Sequence, residues 1–569
     1  MRAQFWALPF GSCWLLVSFS LLFAAWASAS APASIAARRP HIVFFLADDV
    51  GWSNVGWNND RLITPHMNNL VKEGVLLQRH YAYKFCSPSR SSLLSGRLPI
   101  HVNQENSATE QRFAGIPLGM TLWPEKLQAL GYRTHQVGKW HVGMATPAHV
   151  PTGRGFDSSL TYFNFGEDHY TQIRGGAALS TNTGQACKGV DLWKNDRPAY
   201  GLNGTYGGFL FTRESLNVIE QHNVSEPLLL FVAWQNNHPP LQVPRAYIER
   251  YPPGERTIIN GMTTFLDEAI GNVTAALMRR GMWNDTLVIF CGDNGGYIGS
   301  GGDSSPLRGG KFSDFEGGVR VPAFVAGGFV PPQRRGTAVD GYIHLADWYP
   351  TLTRLASASG AMRACHGDPR AVAAGLPGLD GVDAWGLIVG EEESARKEVP
   401  LSILPPAAAR LWPPRTAAYR DPNYFVGGEG LIMGRFKLLR GIQHGSAFFS
   451  PTNVSCSGLA APWTFPKNPG VPCTPSNHDM LFDIIADPLE TRDLASALPD
   501  VTSRLRDRLE ELRSNVYAPD RGDVEQAACH QIDANGGFWG PWLPSLGGGI
   551  GGEAAAAGGS AGATEHVLI

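Results

Sequence analysis

Two pairs of residues with oxygen-bearing side chains could hold a hard metal ion, Asp48-Asp49 and Asp293-Asn294. Carboxylate and amide oxygens suit Ca²⁺ or Mg²⁺, and no cluster of cysteines or histidines that would favour zinc accompanies them. Each pair also has an ordinary structural explanation, because two aspartates can cap a helix and Asp-Asn-Gly can form a turn. Since both pairs directly follow apolar runs, we favour a single metal site.

Three cations and two histidines could act on a tetrahedral anion. Arg90, Lys139 and Lys311 could neutralise its charge, and His141 and His238 could move protons, since histidine titrates near neutral pH. Lys139 and His141 are two residues apart, which puts both side chains on one face of an extended segment. Lys311 lies in a glycine-rich stretch, where the backbone can approach a neighbour closely. Solvated lysines and structural histidines are the alternative explanation.

The stretch FCSPSRSSLLSGR (85–97) places Cys86 at the start of a predicted helix. Ser87 would be its N-cap, Pro88 its first residue and Gly96 its end, and free N–H groups at such a start attract an anion. The chain has no Gly-x-Ser-x-Gly motif, so no serine triad is evident. Cys86 is then the unusual residue, because an unmodified thiol matches a hard cation poorly. A half-cystine before an ordinary helix is the alternative.

Short apolar runs must position these residues. Residues 41–52, 227–240 and 286–296 read as strands buried on both faces of a largely parallel sheet, and they end in Asp48-Asp49, His238 and Asp293-Asn294. Helical stretches at 64–74, 120–131 and 263–281 separate the strands, which predicts an α/β fold. Such folds bind ligands beyond the carboxyl ends of their strands. We therefore expect one site at that edge of the sheet.

The chain is predicted to divide into four parts. After about residue 400, strand-like runs at 431–441 and 480–488 and an amphipathic helix at 501–516 indicate a small α+β subdomain. The Gly/Ala-rich C-terminal stretch is expected to be disordered. In order, the parts are a signal peptide (1–29), a catalytic domain (40–400), a C-terminal subdomain with a small antiparallel sheet and a helix (401–534), and a tail (535–569).

The N-terminus predicts entry into the secretory pathway. An apolar core at 13–26 precedes Ala27-Ser28-Ala29, which fits the small-residue cleavage rule, although a signal anchor is the alternative. No later stretch is long and apolar enough to cross a bilayer. We expect a secreted, extracellular or lysosome-like location. Five N-glycosylation sequons agree with this route: Asn203, Asn223, Asn272, Asn284 and Asn453.

Charge and cysteine usage narrow the class of protein further. The 569 residues carry a formal net charge of -3 and no basic run, which gives no support for nucleic-acid binding. Among the eight cysteines, Cys291 lies in an apolar run and is expected to be a buried free thiol. Cys456 and Cys473 bracket a proline-rich loop and are our first choice for a disulfide, although connectivity cannot be deduced from sequence.

These motifs resemble those of the sulfatase family. FCSPSRSSLLSGR fits the pattern C-x-P-S-R followed by L-[ST]-G-R, and GYRTHQVGKWH fits the second sulfatase motif. ADDVGW, HPPLQVP, and DNGG followed by PLRGGK and EGGVR occur in the family's order, so the resemblance covers roughly residues 40 to 350. It implies an alkaline-phosphatase-like large domain, with a mostly parallel central sheet flanked by helices, and a smaller C-terminal α+β subdomain.

The resemblance also implies two cofactors. Cys86 would be converted to formylglycine by the formylglycine-generating enzyme in the endoplasmic reticulum, before folding is complete. The hydrated aldehyde would be an oxygen nucleophile, which suits a hard metal better than a thiol does. One Ca²⁺ would be bound by Asp48, Asp49, Asp293, Asn294 and the modified Cys86.

The remaining roles come from the same resemblance. Arg90 and Lys139 would hold and activate the nucleophile, and His141 would assist breakdown of the covalent sulfate. Lys311 and His238 would hold the sulfate and help the leaving oxygen depart. The chain matches the family at all of these positions.

Within the family, the stretches HPPLQVP, SPLRGGKFSDFEGGVR and HLADWYPTL are most similar to the arylsulfatase B (N-acetylgalactosamine-4-sulfatase) group. We expect an arylsulfatase whose natural substrate is a sulfated carbohydrate. The segment YFNFGEDHY (162–170) holds acids and aromatics that could contact a sugar, although loop aromatics more often serve packing. The alternatives are a broad sulfate-scavenging arylsulfatase, a phosphate or phosphonate monoester hydrolase of the same superfamily, and a catalytically inactive glycan-binding protein.

Overall fold

The computed structural model describes residues 39–106, 108–180, 186–254, 256–357, 367–405, 428–441, 443, 448–450, 453–455 and 479–544. In chain order the strands are β1 (His41–Ala47), β2 (Val75–Leu77), β3 (His80–Tyr81), β4 (Arg133–Lys139), β5 (Ser158–Tyr162), β6 (Ile173–Ser180), β7 (Ala186–Val190), β8 (Trp193–Lys194), β9 (Arg197–Pro198), β10 (Leu228–Trp234), β11 (Thr286–Gly292), β12 (Ala323–Ala326), β13 (Thr337–Val339), β14 (Ile343–His344), β15 (Glu398–Ser402), β16 (Gly428–Met433), β17 (Phe436–Gly441), β18 (Phe448–Ser450), β19 (Asn453–Ser455) and β20 (Met480–Asp483).

The α-helices of the same residues are α1 (Pro65–Lys72), α2 (Cys86–Ser95), α3 (Pro99–Val102), α4 (Trp123–Ala129), α5 (Gly207–Gln221), α6 (Arg245–Ile248), α7 (Thr257–Arg279), α8 (Glu316–Val319), α9 (Trp348–Ala356), α10 (Pro369–Ala373), α11 (Trp385–Val389), α12 (Pro499–Arg513) and α13 (Gln526–Ala534). None of the described helices is long and apolar enough to span a membrane.

A ten-stranded sheet forms the centre of the protein, in the order β13-β2-β12-β11-β1-β10-β4-β5-β8-β9. Its five middle strands, β11 to β5 in that order, all run parallel, and strand pairing turns antiparallel on both sides of them. The predicted strands at 41–52, 227–240 and 286–296 are β1, β10 and β11, and β1 lies between the other two. The predicted α/β fold is confirmed.

Alternate residues of β1 feed two hydrophobic cores, one on each face of the sheet. Phe44 packs on one face with Trp123 of α4 and Trp348 of α9. Phe45 points to the opposite face, where α5 and α7 lie. Burial on both faces explains why the central strands read as continuous apolar runs without polar alternation.

Helix α2 begins two residues earlier than the sequence predicts. Cys86 is its first residue and Phe85 its N-cap, without a side-chain cap hydrogen bond, so Ser87 is not the cap. The Ser87 hydroxyl instead accepts a hydrogen bond from the Asn103 side chain, over 3.1 Å. The predicted end is correct, because Gly96 adopts the left-handed conformation with φ of 69°.

A four-stranded antiparallel sheet, β15-β16-β17-β20, forms the smaller unit. The predicted strand region 431–441 is a hairpin of β16 and β17, and α12 covers one face of this sheet through leucines such as Leu505 and Leu509. The first strand starts at Glu398, so the predicted boundary at 400/401 falls inside β15. The other face packs against Phe315 and Val319 of the large domain.

The C-terminal residues return to the large domain. Helix α13 contacts the β6–β7 hairpin, and the side chains of Trp539 and Trp542 are buried there. These two tryptophans belong to the predicted tail. The rest of the tail, from residue 545 onward, and the predicted signal peptide lie outside the described residues.

A disulfide joins Cys187 of β7 to Cys529 of α13. Neither residue belonged to the predicted pair, and Cys456 and Cys473 lie outside the described residues. Cys291 is a buried free thiol, as predicted. The asparagines of four sequons are exposed, while Asn453 belongs to a strand whose side chains are outside the described set.

Candidate active site

The carboxyl ends of the parallel strands bring the predicted residues together. Asp48 and Asp49 follow β1, and Asp293 and Asn294 follow the neighbouring β11. The register pairs Ala47 with Gly292, so the two acidic pairs leave the sheet at the same level. All four side chains are buried.

Cys86, the first residue of α2, lies at the same edge of the sheet. Its Sγ lies 3.5 Å from Asp48 Oδ1 and 3.4 Å from Lys311 Nζ. Its side chain is only 1 % exposed. The thiol therefore lies between Asp48, a predicted metal ligand, and Lys311, one of the cations predicted to neutralise an anion.

Three short ion pairs balance the three carboxylates of the site. Lys139, the last residue of β4, donates to Asp48 over 2.6 Å, and Lys311 donates to Asp49 over 2.6 Å. Arg90 pairs with Asp293 over 2.8 Å and lies 3.8 Å from Asp48. Three positive charges thus stand around position 86.

Burial and these charges shift the acid–base properties of the site. Burial opposes ionisation of Asp48, but Lys139 and the other nearby cations hold its pKa well below the usual range. Burial raises the pKa of Cys86 to about 12, although Lys139 and Lys311 act in the opposite direction. An unmodified thiol here stays protonated at neutral pH and is a weak nucleophile.

The two histidines differ in their settings. His141 is buried, with no hydrogen-bond partner at either ring nitrogen, and burial followed by the Lys139 charge holds its pKa well below 6.5. His238 is partly exposed, and its Nε2 lies 4.0 Å from Asp49 Oδ2. Burial, followed by the Lys311 charge, lowers the pKa of His238 to about 4. Both rings are therefore neutral near pH 7.

The structure corrects one step of the sequence reasoning about Lys139 and His141. The extended segment ends at Lys139, and His141 has a positive φ of 59°, so strand alternation does not place the two side chains. They still approach the same site, because the N–H groups of Trp140 and His141 bond to the carbonyls of Tyr162 and Phe163. This pairing continues the contact between β4 and β5 beyond Lys139.

The glycine-rich stretch around Lys311 allows a close backbone approach, as predicted. The N–H of Lys311 donates to the carbonyl of Gly296, just beyond Asn294. A Cβ on Gly295 would overlap the carbonyl oxygen of Gly317 in the opposite segment. This packing holds Lys311 against Asp49 and Cys86.

The donor atoms fit a hard cation. Asp49 Oδ2 and Asn294 Oδ1 are buried and have no hydrogen-bond partner. Asp48, Asp49, Cys86 and His238 each offer a ligand atom, and these four atoms lie within 4.8 Å of one another. His238 thus lies closer to the acidic group than the sequence indicated.

Several residues near the site carried no clear signal in the sequence. Phe165 lies with its ring centroid 5.0 Å from that of His141, and the fully buried Glu167 has an unpartnered Oε1. Both belong to YFNFGEDHY, whose pattern indicates only that its acids and aromatics could contact a sugar. Arg174 lies over Phe165 and Trp539, and no local pattern could join residues so far apart in sequence.

Comparison with known proteins identifies the family. The profile of the sulfatase family matches residues 40–358 of the chain. The chain belongs to the sulfatase family. This sulfatase is 33% identical over 516 residues to arylsulfatase J of Mus musculus, with 89% of this chain and 80% of the relative covered.

Other sulfatases match a smaller part of the chain than arylsulfatase J does, or match it at lower sequence identity. Arylsulfatase A of Bos taurus is 28% identical over 505 residues, covering 84% of this chain and 87% of the relative. N-acetylgalactosamine-6-sulfatase of Mus musculus is 32% identical over 309 residues, covering 51% and 57%. The predicted enzyme class is confirmed, and this sulfatase is a sulfuric ester hydrolase.

Solved structures confirm the alkaline-phosphatase-like fold. The crystal structure of Ps i-CgsB superposes with a TM-score of 0.66 at 23% identity, covering 88% of this chain and 98% of that one. The phosphonate monoester hydrolase of Agrobacterium radiobacter superposes with a TM-score of 0.52 at 17% identity, covering 84% and 96%. At these identities the likeness concerns the fold alone.

Proposed function

We propose that this sulfatase hydrolyses sulfate monoesters with a formylglycine formed from Cys86 and one Ca²⁺ held by the acidic group. The observation that carries the proposal is the position of Cys86, 3.5 Å from Asp48 and 3.4 Å from Lys311, in a buried ring of charges. A protonated, soft thiol serves neither a hard cation nor nucleophilic attack. An oxygen nucleophile at the same position serves both.

The residues of the proposed metal site are Asp48, Asp49, Asp293, Asn294 and modified residue 86. The unpartnered oxygens of Asp49 and Asn294 support this assignment. Ca²⁺ bound there would polarise a sulfate oxygen, and the hydrated aldehyde would supply the attacking oxygen.

The surrounding residues would bind and orient the sulfate. Lys139, Lys311 and Arg90 place positive charge near position 86, where the sulfate anion would bind. His141 is neutral with both ring nitrogens unpartnered, which leaves a ring nitrogen free to accept a proton when it assists breakdown of the covalent sulfate. His238, partly exposed beside Asp49, lies where the leaving oxygen would depart.

We further propose a sulfated carbohydrate as the natural substrate and the secretory pathway as the route. Relatives named N-acetylgalactosamine-6-sulfatase support a sugar substrate. Four exposed sequon asparagines support the route. The similarity to the arylsulfatase B group stays a prediction.

Peptide mass spectrometry of the active enzyme tests the nucleophile. Protein coexpressed with the formylglycine-generating enzyme should carry formylglycine at residue 86, and its specific activity should rise with the converted fraction. Cys86→Ala should abolish turnover while leaving the thermal unfolding transition in place. An active preparation with wholly unmodified Cys86 would contradict the proposal.

A substrate panel tests the reaction and its natural substrate. We expect hydrolysis of 4-nitrocatechol sulfate, and kcat/KM for N-acetylgalactosamine 4-sulfate above that for the 6-sulfate. Rapid turnover of the aryl sulfate alone would indicate a broad sulfate-scavenging arylsulfatase. Faster hydrolysis of 4-nitrophenyl phosphate or phenylphosphonate than of any sulfate would indicate the phosphate or phosphonate alternative.

A further inference from the structure

We propose that Phe165 is the platform on which the ring of the substrate's leaving group stacks, which makes it a specificity-determining residue of this sulfatase. This inference rests on the proposed function. Its substrate class is a sulfate ester whose leaving group is a ring with an apolar face, either an aryl ring or a sugar.

The position of Phe165 is the first observation. Its ring centroid lies 5.0 Å from that of His141 and 6.2 Å from that of His238. His141 is buried, whereas Phe165 is partly exposed. A substrate whose sulfate lies among the buried cations must extend past the histidines toward solvent. The Phe165 ring, next to both histidines and partly exposed, would lie along that path.

The loop that carries Phe165 lies close to His238. Gly166 is exposed with a φ of 70°, and a Cβ there would lie 3.9 Å from His238 Cε1. Glycine at this position leaves the space beside His238 open. The loop would thus border the space through which a substrate reaches His238.

A buried cation holds the ring in place. The guanidinium carbon of Arg174 lies 5.4 Å from the Phe165 centroid and 5.7 Å from the Trp539 ring. Arg174 also donates to Glu110 over 2.8 Å, and its carbonyl accepts from the indole N–H of Trp539. Because Arg174 holds the Phe165 ring, that ring loses little conformational entropy when a ligand stacks on it.

The chemistry of the ring fits an aryl or sugar ring. A benzene face carries negative charge, so it attracts C–H groups and ring edges. The charged sulfate would be bound deeper, by Lys139, Lys311 and Arg90. Phe165 would therefore contribute to binding of the ring but not of the inorganic anion.

A purely structural role makes a different prediction. If Phe165 served only to orient His141, its loss would lower kcat alike for all substrates and leave ligand affinity unchanged. Binding measurements separate the two roles. They also separate this inference from the proposed function, since they need no turnover.

The experiment compares Phe165→Ala and Phe165→Trp in the Cys86→Ala background by calorimetry, with 4-nitrocatechol sulfate, N-acetylgalactosamine 4-sulfate and inorganic sulfate as probes. Phe165→Ala should weaken binding of the ring-bearing esters roughly tenfold, and inorganic sulfate less than about twofold. Phe165→Trp should retain affinity for the rings.

Tyr170→Ala is the matched control. Tyr170 is an exposed aromatic of the same loop whose described ring contact is with Tyr206, so its loss should change none of the three affinities.

Equal weakening of esters and inorganic sulfate by Phe165→Ala, or no weakening at all, would overturn the inference. Absence of sulfate release by the unsubstituted enzyme would instead count against the proposed function. A loss confined to one ester identifies which ring the platform accepts.

Discussion

Arg90 donates two hydrogen bonds to a single carboxylate oxygen of Asp293, over 2.8 and 3.0 Å. The other oxygen of Asp293 accepts the backbone N–H of Asp49 over 3.2 Å. Asp293 is thus oriented both by the helix that begins with Cys86 and by the end of β1. This pairing couples the position of residue 86, the proposed nucleophile, to the position of the proposed metal site.

Arg90→Lys should separate geometry from charge. Lysine keeps the positive charge but cannot reproduce the fork of donors, so we expect activity to fall at least tenfold and unfolding free energy to drop by about 1–3 kcal/mol. Steady-state kinetics and urea unfolding would measure both. Arg112→Lys, at the partly exposed pair with Glu525, is the control and should change stability by less than about 1 kcal/mol. Unchanged kinetics in Arg90→Lys would contradict the proposed role.

Asp49→Asn should remove the stabilisation by calcium. A cation that binds only the folded state raises stability by an amount that grows with its concentration. The melting temperature of the unsubstituted enzyme should therefore rise with added Ca²⁺ after chelation, and that of Asp49→Asn should not. Asp60→Asn, at an exposed aspartate, should respond as the unsubstituted enzyme does. Zinc without calcium in metal analysis of active protein would refute the assignment.

Lys437→Met should destabilise the protein strongly. Lys437 is buried between Glu316 and Glu490, at 3.0 and 2.9 Å, where the small sheet meets the large domain. Its removal would leave Glu490 without its cation and Glu316 with only Arg320 at 3.6 Å, and breaking a buried pair in this way costs about 3–5 kcal/mol. Denaturant titration gives the measurement.

The matched control for Lys437→Met is Lys397→Met. Lys397 forms a surface pair with Glu393 at 3.9 Å, and its loss should cost less than about 1 kcal/mol. Similar losses in the two variants would show that the buried cluster contributes no more than a surface pair.

The Glu490 carboxyl should make stability depend on pH. Burial raises the pKa of Glu490 to about 7 from a usual value of 4.5, while Lys437 opposes the shift and Glu316 adds to it. The folded state therefore keeps this proton to a higher pH than the unfolded chain does. Its contribution to stability is fully present below pH 4.5 and is lost as the pH rises through about 7.

Glu490→Gln tests this dependence, because glutamine stays neutral at every pH. Between pH 4.5 and 7, the unfolding free energy of the unsubstituted protein should fall more steeply than that of the variant, by at most about 1.4 kcal/mol per pH unit. Urea unfolding at a series of pH values measures the two slopes. Equal slopes would mean that Glu490 titrates alike in both states.

Loss of the Cys187–Cys529 disulfide should lower stability without removing the catalytic groups. Cys187→Ala/Cys529→Ala should reduce the unfolding free energy by about 2–5 kcal/mol. Peptide mapping without reduction should recover the two cysteines in one cross-linked species. Recovery of Cys187 joined to any other cysteine would refute the pairing.

The sequence could predict that the residues of the site lie together, because the ends of neighbouring parallel strands bring them to one edge of the sheet. Asp48 and Asp293 end adjacent strands, and the apolar runs before them are unmistakable. Other features depend on distant partners that no local pattern reports. Ser87 resembles a cap, yet its hydroxyl is taken by Asn103. The Arg174–Trp539 contact and the Cys187–Cys529 pair join segments hundreds of residues apart, so only the folded chain reveals them.

The long span of that disulfide also sets an order of events during synthesis. At about 5–20 residues per second, a ribosome needs roughly 17–70 s to make the 342 residues that separate Cys187 from Cys529. Cys86 is made before Cys187, and Cys529 is made after every other cysteine of the chain. Cys86 is therefore available to form a disulfide with Cys187 before Cys529 exists. Conversion of Cys86 to an aldehyde during that interval would remove a thiol that could form a wrong cross-link. Early modification would then protect folding as well as create the nucleophile.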